Sequence, residues 1–233
     1  MKFIKIMISA GCILINIMFI CIEQRVSLMT FAIALIFFTI ASSIHLLLHE
    51  IGHLIGGLLT GYQLILFQVG PVNLIADQSN KICLSLEKSH GGQCIMTPGQ
   101  RSPLRFRAYN LGGIIANIIT CVIGSAFLIS DFFLTTLFFI ELLFAGLLKI
   151  VSNCLPCLNK GIPNDGFIVR LLNRNTEVQK DYVTYLTLYA ALFWGEDILV
   201  SDYEYQRTTI VNEDELLYYR GIQELLSTIE THF

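Results

Sequence analysis

The chain reads as an α-helical, multi-span membrane protein of about four transmembrane helices, with a small β-sheet at the membrane edge and a helical C-terminal appendage. Composition points there first. Of 233 residues 54% are hydrophobic and only 14% charged, against about 25% charged in a soluble domain, and mean hydropathy is +0.65. Four apolar runs, near residues 1–22, 28–59, 109–129 and 132–151, approach the ~20 residues that cross ~30 Å of hydrocarbon. Between the second and third runs, residues 62–98 turn to short alternating segments too polar to span a bilayer unaided.

The first run follows Lys2 and Lys5 and reaches Ile22. A secretory signal would have a shorter core and a small-residue cleavage site, so a retained transmembrane helix is expected, closed by the polar link Glu23-Gln24-Arg25. The second helix begins near Leu28, and Gly56, Gly57 and Gly61 loosen its end or permit close packing there. Residues 64–69 and 72–76 are β-prone, Asp77-Gln78-Ser79-Asn80 is a turn, and residues 82–87 alternate with period two. Gly91-Gly92-Gln93-Cys94-Ile95-Met96 makes a further strand.

Arg101, Arg105 and Arg107 lead into the third helix. There Gly112, Ala116, Thr120 and Gly124 recur every four residues, a small-residue stripe suited to close helix packing, and Asn117 beside it should face the bundle. Ser130-Asp131 turns the chain into the fourth span, which carries Glu141 near its middle; that acid is either a hydrogen-bonding partner of a neighbouring helix or a functional group. In the tail, Val178, Tyr182, Leu186, Tyr189 and Phe193 share a helical face. Asn212 with Glu215 resembles a capping box, and Leu216, Leu217, Ile222, Leu225, Leu226 and Ile229 continue at helical spacing.

Charge divides the chain. Up to Thr176 there are 12 Lys+Arg against 7 Asp+Glu, and from Glu177 onward 3 against 11. Three regions follow: 1–27, the first helix and a short loop; 28–176, a membrane-embedded core with a β insert at about 62–98; and 177–233, an acidic helical tail. So acidic a tail argues against nucleic acid or anionic lipid as its partner, leaving the lipid bilayer as the partner of the core. With the N-terminus inside, four spans put Lys2, Lys5, the three arginines, Lys160, Arg170 and Arg174 in the cytoplasm and only Arg25 outside. A multi-pass protein of the plasma membrane with both termini cytoplasmic is therefore expected. The seven cysteines suit free thiols better than a disulfide framework, and Cys154-Leu155-Pro156-Cys157 is a redox pair or half a metal site without a second half.

Within the second helix lies His49-Glu50-Ile51-Gly52-His53, a match to H-E-x-x-H. Positions i and i+4 share one helix face, so both imidazoles can converge on a zinc ion while Glu50 reaches a water as general base. Histidines and an acid are costly in an apolar run, which favours a functional reading. A catalytic zinc usually takes three protein ligands. Asp165, Glu141, Asp131 and His45 are candidates for the third. His45 sits one more turn along the same helix, where three collinear side chains fit a tetrahedral ion poorly. Asp165 is favoured because residues 153–166 follow the fourth span and could fold back toward the end of the second helix.

These motifs together resemble the site-2 protease family of intramembrane zinc metallopeptidases. The His49–His53 motif fits the family's zinc helix, and the Gly91–Met96 segment resembles its membrane-associated strand. Gly112-Gly113-Ile114-Ile115-Ala116-Asn117 is similar to its G-P-x-x-N helix, with Gly113 in place of proline. Asn153-x-x-Pro156 followed by Asp165-Gly166 is similar to its N-x-x-P…D-G motif, although the spacing from Pro156 to Asp165 is longer than in many members. The resemblance covers residues 40 to 170 and includes no PDZ-sized insertion. It implies an endopeptidase that holds Zn²⁺ on His49, His53 and Asp165, with Glu50 as catalytic base. It also implies Asn117 and Asn153 as binders of substrate backbone or oxyanion, and a membrane-embedded, apolar peptide as substrate. Two other readings stay open: a membrane transporter or immunity-type binding protein with a structural or transported metal, for which Glu50 would be dispensable, and a catalytically inactive family member.

Overall fold

The computed structural model describes residues 2–88, 91–98, 105–159, 162–196 and 213–232; Arg101, Lys160 and Asn212 lie outside them. The order of elements is α1 (Lys2–Ile22), α2 (Leu28–Leu59), β1 (Tyr62–Val69), β2 (Val72–Ala76), β3 (Ile82–Leu86), β4 (Gly92–Pro98), α3 (Phe106–Ser125), α4 (Phe133–Cys154), β5 (Leu158–Asn159), β6 (Ile162–Pro163), α5 (Asp165–Leu172), α6 (Thr176–Trp194), a 3₁₀ turn at Glu213–Leu216 and α7 (Leu217–His232). Among the described residues three helices, α2, α3 and α4, are long and apolar enough to cross a membrane. Helix α1, of 21 residues, contains a further apolar stretch, Ser9–Ile22. Leu28, Phe31, Leu35, Ile36, Ile40 and Leu47 along α2 are exposed, a stripe too apolar for water and suited to lipid.

The chain clusters into two compact units, Met1–Gly52 with Leu111–Phe167, and His53–Asn110 with Ile168–Phe233. In the first, Phe38, Ile44 and Phe139 pack around buried Ala41, Leu142 and Ala145. Phe19 of α1 stacks on Phe133 of α4 with ring centroids 5.5 Å apart. Helices α2 and α3 meet at glycine: a Cβ on Gly52 would fall 2.3 Å from the Gly112 carbonyl oxygen and 2.8 Å from the Ala116 Cβ. Gly112 and Ala116 of the α3 stripe therefore serve close approach to α2, whereas Gly124 lies against Leu142 and Phe139 of α4. Glu141 is buried on α4.

In the second unit, β3-β2-β1-β4 form an antiparallel sheet. The β1–β4 register shifts between Leu64 and Leu66. Tyr62 stacks on Tyr109 at 5.0 Å. Helix α6 starts with Asn175 capping the Glu177 N–H and ends at Gly195 in the left-handed conformation, φ 70°, which glycine adopts without a Cβ penalty. Its Trp194 indole N–H donates to the Ala76 carbonyl. Leu188 packs with Ile222 and Leu226 of α7, so the tail holds two packed helices. Val178, Tyr182 and Leu186 are buried as their spacing predicts, but Phe193 is 37% exposed. Asp181, next to Tyr182 in sequence, is fully buried as well. Burial, with the Tyr109, Tyr218 and Tyr62 phenols nearby, pushes the Tyr182 hydroxyl well above its ordinary range.

Candidate metal centre

Helix α2 supplies the centre of the site. His49 and His53, one turn apart, are each 7% exposed, and Glu50 is 5% exposed. Gly52 lies between the two histidines on the turn that packs against Gly112, so the motif's spare position is where the helices touch. The His53 Nδ1 lies 2.8 Å from the Tyr109 carbonyl oxygen. An N–H donated there leaves Nε2 with its lone pair, the tautomer a metal-binding histidine needs.

Asp165 reaches the site from the connection after α4. Asn164 staples that connection: its Nδ2 donates to the Ser152 and Leu155 carbonyls at 2.6 and 2.7 Å. Its Oδ1 accepts from the backbone N–H groups of Cys157 and Phe167, both at 3.0 Å, the second being an N-cap for α5. Gly166 lets α5 start against the end of α4, since a Cβ there would lie 2.2 Å from the Cys154 carbonyl oxygen. The β5–β6 hairpin, with Leu158 paired to Pro163 and Asn159 to Ile162, takes up the long spacing between Pro156 and Asp165. As a result the Asp165 Oδ2 stands 3.2 Å from the His49 Nε2.

One ligand atom each from His49, His53 and Asp165 lie within 4.8 Å of one another. Two ligands about 2.0–2.1 Å from a tetrahedral zinc are about 3.3 Å apart, so the His49–Asp165 separation fits such an ion. The donor set of two imidazoles and one carboxylate is also that of a catalytic zinc. A divalent metal can bind there. Among the described residues, Glu141, Asp131 and His45 do not belong to this cluster.

The two asparagines are placed differently. The Asn117 side chain is fully buried, with Oδ1 2.9 Å from the His45 Nδ1 and Nδ2 3.2 Å from the His49 Nδ1. Asn153 lies in the last turn of α4, where its Nδ2 donates to the Lys149 carbonyl at 3.2 Å. Cys154 and Cys157 are free thiols. Sequence reading missed the parts played by Asn164, Tyr109 and His45. An asparagine directly before an Asp-Gly helix start is a capping signal that could have found Asn164; Tyr109 acts through its carbonyl, which no side-chain pattern reveals. Compared with protein-family models, curated proteins and solved structures, the chain matches none of them.

Proposed function

We propose that this protein is an intramembrane zinc endopeptidase of the site-2 protease type. The observation that carries this reading is the approach of Asp165 to His49 at 3.2 Å, with His53 within ligand range and Glu50 in the same helical turn. His49, His53 and Asp165 would hold Zn²⁺. The ion would supply Lewis acidity, lowering the pKa of a water and polarising a peptide carbonyl. Glu50 accepts the proton of the attacking water and returns it to the leaving amine. Burial of Glu50 and both histidines limits bulk water, which strengthens electrostatic interactions in the site. The substrate is an apolar membrane peptide, unwound locally because a helical peptide bond is sterically shielded. Four spans with both termini in the cytoplasm agree with the distribution of Lys and Arg, α1 acting as the first span.

The test is incubation of purified protein with apolar membrane peptides, with and without a zinc chelator. Cleavage should require zinc. Glu50→Gln keeps the volume and the metal ligands but cannot take a proton, so it should retain about one zinc per chain while cleavage falls about 10²–10⁴-fold. Asp165→Asn should weaken both zinc binding and cleavage. Cleavage by Glu50→Gln at the wild-type rate would refute the mechanism.

A further inference from the structure

Behind His49 runs a line of polar groups that the proton chemistry of Glu50 does not use. The His45 Nε2 lies 3.0 Å from the Leu142 carbonyl oxygen, its Nδ1 2.9 Å from the Asn117 Oδ1, and the Asn117 Nδ2 3.2 Å from the His49 Nδ1. His45 and Asn117 are both fully buried. The His45 ring is also confined: a Cβ on Gly146 would fall 2.5 Å from its Cε1 and 2.3 Å from the Cys121 Sγ. A tightly held imidazole and a carboxamide in series make a directional chain, because each must match donors to acceptors.

A neutral imidazole has one donor and one acceptor, whereas a carboxamide offers both through atoms of nearly equal size. With Oδ1 of Asn117 toward His45 and Nδ2 toward His49, His45 would need N–H donors on both nitrogens, which makes it a buried cation. His49 would then accept at Nδ1 and carry its proton on Nε2, the atom facing Asp165. Half a turn of the amide exchanges its two atoms in place. Then His49 Nδ1–H donates to Oδ1, Nδ2 donates to the His45 Nδ1, and His45 Nε2–H donates to the Leu142 carbonyl. Every group is satisfied, none is charged, and the His49 Nε2 is left with its lone pair.

We propose that His45, acting through Asn117 in this turned orientation, is a positioning residue that sets the tautomer of His49 for metal binding. This rests on the reading of His49 as a metal ligand. The two ligand histidines are thus oriented by different devices: His53 by the Tyr109 carbonyl, His49 by a side-chain relay rooted in the Leu142 carbonyl. The relay turns no substrate group; it keeps one proton off one nitrogen.

The experiment is ¹⁵N NMR of the five ring-labelled histidines in zinc-loaded wild-type protein, assigned with single-histidine variants, together with zinc affinity from competition with a chromophoric chelator. The His49 ring should carry its proton on Nδ1 in the metal-free protein too, where zinc cannot impose that tautomer. His45→Leu and Asn117→Leu should each weaken zinc binding about 10–100-fold, the usual effect of losing the partner behind a ligand. His45→Gln, which can accept from Asn117 and donate to the Leu142 carbonyl, should recover most of that loss, as a mere packing role would not require. A His49 ring protonated on Nε2, or wild-type affinity in His45→Leu, overturns the relay. The spectrum of the wild type decides even where a variant does not fold. Wild-type protein that binds no zinc overturns both the relay and the peptidase reading. Zinc held with the expected tautomer but without peptide cleavage supports the relay and removes only the peptidase.

Discussion

At the scale of single residues, the site depends on where side chains are absent as much as on where they are present. Gly52 brings α2 onto Gly112 with no room for a methyl group, whereas Gly11 in α1 has nothing within 4 Å of its would-be Cβ. Gly52→Ala should therefore destabilise the protein by about 1–3 kcal/mol, the ordinary cost of overpacking, and weaken zinc binding by shifting the turn between His49 and His53. Gly11→Ala should be neutral or stabilise α1 by up to about 1 kcal/mol, since alanine is the better helix former. Thermal unfolding in detergent with parallel zinc titration checks both. His49, Glu50 and His53 were legible because helical spacing alone puts two of them on one face. His45 was legible as a polar intrusion but not as a partner of Asn117, because that contact joins residues 72 positions apart on different helices.

Among elements, the connection from α4 to α5 governs the third ligand. Asn164 makes four hydrogen bonds across it, two as donor to carbonyls and two as acceptor from backbone N–H groups. Asn164→Ala should cost about 1–3 kcal/mol through unpaired backbone groups and a lost cap. It should also lower zinc affinity although every ligand is intact, because Asp165 is no longer held beside His49. Isothermal titration of zinc against wild type and variant measures this, and unchanged affinity would show that Asp165 is held by other means. The order of helices and strands up to α4 was readable from periodicity, yet boundaries moved and α5 was not foreseen. Helix α3 starts at Phe106 rather than Tyr109, and α4 continues past Val151 to Cys154, which carries Asn153 into a helical turn. The β5–β6 hairpin escaped notice because two-residue strands carry no periodic signal; only the long spacing before Asp165 hinted at inserted chain.

For the molecule as a whole, the membrane reading rests on exposed apolar faces. Leu28, Leu35 and Ile36 of α2 and Val122 and Ile123 of α3 are exposed, apolar faces that suit lipid better than water. Composition alone pointed to helices long and apolar enough to cross a membrane, of which the described residues hold three. The number of spans was less legible, since Lys2 and Lys5 stand within the first turn or so of α1. The four-span arrangement predicts that single cysteines placed near Arg25 or Asp131 in a cysteine-free background react with an impermeant thiol reagent from outside intact cells. Cysteines at Arg105 or Glu213 should react only after the membrane is opened. The opposite labelling would invert the protein and move the metal ligands to the other face.

Helix α2 has 32 residues, so at ~1.5 Å per residue it is about 48 Å long. Even a tilt of about 40°, the upper end of the usual range, leaves it projecting about 37 Å across a hydrocarbon layer of ~30 Å. A helix of that length that crosses a bilayer must have one end clear of the acyl chains, and His53 is only six residues from the last residue of α2, Leu59. Acyl-chain length then becomes a control on how wet the histidine turn is. On the proposed zinc-peptidase reading, chelators should strip zinc quickly in vesicles of short-chain lipid and peptide cleavage should lose its preference for apolar substrates. Long-chain lipid should slow zinc removal and sharpen that preference, with no change in the protein itself.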